Sequence, residues 1–165
     1  MSWITAPRTF LLAALLACCS FNGFAAGETW IRIDKSARTL TLFEGETPVL
    51  EFPVALGRNP IGPKQQQGDG KTPEGRYFIL SRLRNSRFHR ALQVSYPSLA
   101  DQMLADARGV PPGGQIMIHG VGPNARAAQL HPLFDWTDGC IAVTDAQIEE
   151  LWSRVPVGTP VDILP

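Results

Sequence analysis

The chain has 165 residues, a hydrophobic content of 44% and a formal net charge of +0, enough for one domain with a real core. The even charge balance, with no basic stripe carrying interleaved aromatics, excludes an electrostatic case for nucleic acid as a partner. Glycine (15) and proline (14) are both frequent, so turns and short strands are expected in preference to long helices.

The first segment reads as an export signal. Arg8 supplies a positive start, and residues 10–19 (FLLAALLACC) form an apolar run too short to span a bilayer. Gly23-Phe24-Ala25 fits a small-x-small cleavage site, which makes residues 1–25 the signal peptide and 26–165 the mature domain. A second reading competes: Leu15-Leu16-Ala17-Cys18 resembles a lipobox, with Cys18 lipidated and the protein held at a membrane. Both place the protein in the periplasm or cell envelope. Cleavage after Ala25 removes Cys18 and Cys19 and leaves Cys140 alone. A lone thiol in an exported protein has no internal disulfide partner, so it is either a liability or a reactive group.

The next stretch alternates apolar and polar residues over 30–34, turns at Lys35-Ser36-Ala37, and resumes as a strand over 40–43. Glu44-Gly45-Glu46 turns the chain again, and a third strand is expected over 49–56, with Pro53 marking an edge or bulge. Three strands this close together predict an antiparallel meander. Residues 57–75 (GRNPIGPKQQQGDGKTPEG) have almost no apolar side chain and predict a long functional surface loop. Its Gly68-Asp69-Gly70-Lys71-Thr72 lacks the Walker spacing, so nucleotide binding is excluded. Strands are expected again over 76–80 and 92–96. Ser98, with Asp101 three residues on, predicts a capped helix with Leu99, Met103, Leu104 and Ala107 on its apolar side, stopped by Gly109. Thr144 and Gln147 form a second capping signal, for a helix whose Ile148, Leu151 and Trp152 pack on the strand behind Cys140. Val161-Asp162-Ile163 closes the chain as a strand.

Two stretches carry the chemistry. Ile116-Met117-Ile118-His119-Gly120 is an apolar run ending in a histidine; Asp135-Trp136-Thr137-Asp138-Gly139-Cys140-Ile141 is a polar turn ending in a cysteine. A thiolate is the attacking species in cysteine catalysis, and a neighbouring imidazole can take the proton. Gly139 beside the thiol leaves room for a substrate carbonyl near backbone N–H groups, which could hold an oxyanion. Trp136 is read as either a loop anchor or a pocket wall. The histidines His89, His119 and His131 have no metal-ligand spacing, so no metal or cofactor is expected; His89 reads as a surface side chain.

The ordered set Val54-Ala55-Leu56-Gly57, GDGKTPEGRYFIL (68–80), SRFHRALQVSYP (86–97), IMIHG (116–120) and DWTDGCIAVT (135–144) resembles the L,D-transpeptidase catalytic domain of YkuD type, over nearly the whole of residues 28–165. The resemblance implies a mostly β fold, a β-sandwich with short helices packed on it. It implies Cys140 as nucleophile, His119 as the proton donor and acceptor, and Gly139 in the turn that orients the histidine and holds the oxyanion, with Thr137 at the Ser/Thr position. Two departures stand out. Many members have His where this chain has Asp138, and Arg where it has Ala142; a carboxylate beside the cysteine would raise the thiol pKa unless turned away. Thr137, Asp138, Trp136 and Arg76 are the candidate substrate contacts, with Arg76 or Arg126 able to replace the missing cation.

The implied activity is peptidoglycan L,D-transpeptidation through a thioester on stem peptides, within cell wall organisation and cell shape. The acceptor is a second stem (3–3 cross-linking) or a lysine of a wall-anchored lipoprotein. Water in place of the amine would give an L,D-endopeptidase or carboxypeptidase, or an enzyme that releases wall-bound lipoprotein. A non-catalytic peptidoglycan-binding module is the alternative of another class. A thiol-redox protein is disfavoured because a second thiol is missing.

Overall fold

The computed structural model describes residues 27–123 and 125–165. The expected signal peptide (1–25), with Cys18 and Cys19, and the side chain of Arg126 lie outside the described residues. Eight strands form one hydrogen-bonded sheet, in the order β3-β2-β1-β8-β4-β5-β6-β7. The apolar alternation sets the first three: β1 (Thr29–Asp34), β2 (Thr39–Glu44) and β3 (Thr47–Pro53) make the expected antiparallel meander. Their inward residues Ile31, Ile33, Leu40 and Leu42 are fully buried.

The third strand ends at Pro53 and does not run on to Leu56 as expected. β3 is the sheet edge, and proline has no N–H to continue a ladder. Beyond it the chain crosses to the opposite edge. Ala55 and Ala142 exchange two backbone hydrogen bonds (3.0 and 2.8 Å), and Gly57 bridges to Thr137. These bridges tie the two edges together, so the sheet curls around a single core.

β4 (Gly75–Ser86) is far longer than expected. Its first residues pair with β8 (Pro160–Leu164), and the rest pair with β5 (His89–Val94), so it joins the two leaves of the sandwich. The closing strand β8 lies centrally, parallel to β1 and antiparallel to β4. The strand expected over 92–96 is β5, displaced toward the hairpin turn that starts it. β6 (Met117–His119) and β7 (Ile141–Ala142) complete the second leaf as a parallel pair.

Both capping boxes form as read. Ser98 caps α1 (Leu99–Ala107) and Thr144 caps α3 (Asp145–Arg154). The helix between them is α2 (Ala125–Leu130). The expected apolar side of α1 is not its docking side: Leu99, Met103 and Leu104 are exposed and only Ala105 is buried. The helix is held by polar contact instead, with the Tyr77 hydroxyl donating to Asp101 (3.1 Å). In α3, Ile148 and Leu151 are buried in the core that also holds Ile141 and Val143, and the helix packs chiefly on β5 and β6. Trp152 packs partly against the core, with the Arg82 guanidinium 4.4 Å from its ring centre.

Candidate functional site

Parallel pairing of β6 and β7 sets Ile118 beside Ile141 and His119 beside Ala142. Cys140 is the residue just before β7. Side chains alternate along a strand, so Cys140 projects on the face of Ala142, which is also the face of His119. Ala142, the residue paired with His119, is fully buried.

His119 is buried, and its ring is fixed by contacts on several sides. Its Nδ1 lies 2.6 Å from the Gly120 carbonyl oxygen. A carbonyl only accepts, so Nδ1 carries the proton, and in the neutral ring Nε2 is the free base. Phe88, from the β4–β5 turn, stacks on the imidazole at 4.4 Å and 21°. Trp136 meets it edge-on at 5.8 Å. Burial lowers the His119 pKa below the ordinary histidine value, against the opposing Gly120 carbonyl. His131 is lowered by burial as well, and both its ring nitrogens are buried without a partner.

The turn before Cys140 is built on Thr137. Its buried hydroxyl accepts from the Gly139 amide (3.1 Å) and donates to the Cys140 carbonyl (2.7 Å). This corrects one expectation: the Gly139 N–H is used inside the turn and is not offered to a substrate. Gly139 is needed for another reason. Its φ is +127°, and a Cβ there would lie 2.5 Å from the Lys71 carbonyl oxygen. The loop over 57–75 is therefore packed directly on the turn. Gly57 likewise has its ideal Cβ position blocked by the Gly70 carbonyl.

That loop is anchored internally. Lys35, buried, donates to the Gly62 and Thr72 carbonyls and to Glu74. Lys64, also buried, donates to Asp69 (2.7 Å) and to the Gln66 carbonyl. Asp135 joins loop and turn by accepting from the Leu56 amide (2.9 Å) and from Arg38. None of these roles is visible in composition, which reads the loop only as polar.

The thiol of Cys140 donates to the Gln115 carbonyl at 3.5 Å. Gln115 has a left-handed φ of +57°, uncommon outside glycine. It also lines a groove of about 420 Å³ walled by Gln67 and residues 111–114. Burial pushes the thiol pKa up; Asp138 adds to the rise, while the Met117 amide and the Lys64 ammonium oppose it. The Asp138 side chain is exposed and paired with Arg58.

Arg76 is not brought to this site. It forms a two-point pair with Asp162 (2.7 and 2.9 Å) on the β4–β8 strands. His89 is at the surface, 2.6 Å from Glu149. Gln115, Phe88 and Lys64 are the site residues that sequence reasoning missed. Phe88 lay in a stretch singled out by pattern and Lys64 in the loop over 57–75 read as functional, but neither side chain was named. Among the described residues no group of His, Cys, Asp and Glu is placed to hold a metal ion, and no helix is long and apolar enough to cross a membrane.

A family model described as the YkuD L,D-transpeptidase catalytic domain matches residues 28–163. The chain is 32% identical over 132 residues to the L,D-transpeptidase-like protein YafK of Escherichia coli K12, covering 76% of this chain and 46% of that one. It therefore spans about half the length of the curated relatives it matches. Bd1075 of Bdellovibrio bacteriovorus aligns with a TM-score of 0.60 and 27% identity over 85% of this chain and 49% of its own. The helical cell shape determining protein Pgp2 of Campylobacter jejuni shares the fold, with a TM-score of 0.66 at 24% identity over 82% of this chain and 47% of its own.

Proposed function

The chain belongs to the YkuD family of L,D-transpeptidase catalytic domains, and from that premise we propose that it is a cysteine acyltransferase acting on peptidoglycan stem peptides in the cell envelope. The observation that carries the reading is the placement of Cys140 and His119 on one face of the β6–β7 pair, with the His119 Nδ1 proton held by Gly120.

The reaction begins when the Cys140 thiol turns from the Gln115 carbonyl and gives its proton to His119 Nε2. The sulfur attacks the amide carbonyl after the L-centre of residue three of the stem. The Cys140 amide is the oxyanion donor in this scheme, since the Gly139 amide serves Thr137. His119 then returns the proton to the leaving amine of the D-amino acid, the C–N bond breaks and a thioester remains. An incoming amine, from a second stem or a protein lysine, attacks the thioester. Its proton goes to His119, and the thiol is regenerated. Membership of a family shared with a cell shape determining protein agrees with a role in wall architecture.

Transfer to water is the second reading. It is favoured by Asp138, an exposed carboxylate whose charge reaches the thiol and which can order water beside it. Mass spectrometry of the purified protein with a disaccharide-tetrapeptide, with and without a second stem, separates the two. A cross-linked dimer from wild type and not from Cys140→Ala establishes transpeptidation. Loss of the terminal residue alone establishes hydrolysis. No turnover of tetrapeptide, cross-linked or lipoprotein-bound muropeptides would refute the enzyme reading and leave a wall-binding module.

A further inference from the structure

A second concavity lies away from the groove beside Gln115. It is an open pocket of about 870 Å³ at the tip of the β4–β5 hairpin, lined by Arg84, Arg87, His89, Arg90, Gly122 and Asp145 among others. Its charges are unequally answered. Arg90 pairs with Glu149 (2.9 Å), and the same carboxylate oxygen contacts His89. Asp145 turns one oxygen to the Gly122 amide (2.9 Å). Among the described residues Arg84 and Arg87 have no carboxylate partner, and both are exposed into the pocket. Two unanswered guanidinium groups in one concavity are a receptor for a carboxylate or a similar anion.

The tip is built to hold this arrangement. His89 has a φ of +73°, a conformation that costs a non-glycine residue on the order of 1–3 kcal/mol. Its contact with Glu149 keeps it there. The hairpin lies backbone to backbone on the segment after His119: a Cβ on Gly122 would meet the Phe88 Cα at 2.8 Å. Arg87 has its guanidinium 5.3 Å from the Phe88 ring centre, and Phe88 stacks in turn on His119. Only one aromatic ring therefore separates the pocket from the catalytic imidazole.

We propose that this pocket is a carboxylate-binding subsite for the peptidoglycan peptide, with Arg84 and Arg87 as its ligands. The inference rests on the proposed action on stem peptides, whose free carboxylates supply the matching charge. It holds whether the acyl acceptor is an amine or water, since the subsite grips the strand and takes no part in bond making. Asp145 and Glu149, already engaged, set the depth beyond which an anion is repelled.

The test is direct binding of a disaccharide-tetrapeptide to full-length Cys140→Ala protein, beside the same ligand with its carboxylates converted to amides. Adding Arg84→Ala and Arg87→Ala should weaken binding of the acid ligand about tenfold or more, and raised salt should narrow the difference. The amidated ligand should bind weakly to both proteins and ignore the arginine changes. Arg84→Lys with Arg87→Lys should recover part of the loss. Equal affinity of the two proteins for the acid ligand overturns the proposal, as does an equal loss for acid and amide ligands or no binding of either. Acyl-enzyme formation by wild type at saturating donor is measured in parallel. An arginine-dependent grip without any acyl-enzyme would refute the catalytic reading and leave the subsite standing. An acyl-enzyme with no arginine dependence would do the reverse.

Discussion

Replacing Gly139 by alanine should damage the site, and the size of the effect follows from two separable causes. The first is conformational: at φ +127° an L side chain is strained whatever the space around it, at a cost on the order of 1–3 kcal/mol. The second is steric. The added Cβ meets the Lys71 carbonyl oxygen at 2.5 Å and Ile116 Cδ1 at 3.2 Å, and overpacking of this kind costs about 1–3 kcal/mol more. Together they amount to roughly 2–6 kcal/mol, a large share of the 5–15 kcal/mol that a domain usually has. Gly158 is the control. It has a φ of +89° with nothing within 4 Å of its added Cβ, so Gly158→Ala carries the conformational cost alone. Urea unfolding of both variants gives the difference, and alkylation of Cys140 reports whether the turn has moved from Lys71. The reasoning is refuted if the two variants lose the same stability and Gly139→Ala keeps the wild-type alkylation rate.

Three further outcomes are expected. Thr137→Val removes a hydroxyl that serves two backbone groups, the Gly139 amide and the Cys140 carbonyl; it should cost about 1–3 kcal/mol for each group left unpaired, while Thr137→Ser stays near wild type in thermal unfolding and in thioester formation. The rate of iodoacetamide labelling of Cys140 should rise with pH through a midpoint above the ordinary cysteine value of about 8.5, because burial favours the neutral thiol; Asp138→Asn should move that midpoint down, and a plateau already at neutral pH would show a preformed thiolate instead. Burial acts to raise the Asp69 carboxyl, but the Gln65, Lys71 and Gln66 amides and Lys64 outweigh it and hold it below the usual range. Its contribution is therefore present above the ordinary Asp value and lost as pH falls through the depressed one. Asp69→Asn strands the buried Lys64 ammonium at a cost of roughly 3–5 kcal/mol, read as proteolytic nicking within 57–75 at neutral pH.

The parts of the fold that could be read in advance are those with short-range causes. The strands over 30–34 and 40–43 are marked by a few adjacent apolar and β-branched residues, and each capping box is complete within four residues. What could not be read depends on partners distant in the chain. Nothing local says that 160–164 inserts between β1 and β4, or that 55–57 leaves β3 for the opposite edge. Lys35 and Lys64 were hidden for another reason: hydrophobic patterning assigns lysine to solvent, yet carbonyls and carboxylates of the same loop satisfy their ammonium groups in the interior. The apolar residues of α1 misled in the opposite sense, since period alone cannot tell a packed face from an exposed one.

The two departures at the active site belong to one arrangement of charge. Burial favours the neutral form of both the Cys140 thiol and the His119 imidazole. Attack creates charge at the sulfur, so nearby groups that favour the thiolate assist it. Lys64 is such a group, acting on the thiolate while held in place by Asp69. Asp138 acts the other way, and its pairing with Arg58 on the same loop limits how far its charge penetrates. Ala142, fully buried beside His119, contributes no charge. The 57–75 loop thus contributes the Lys64 ammonium to the electrostatics of the thiol, and the Lys64–Asp69 pair holds that ammonium within the loop.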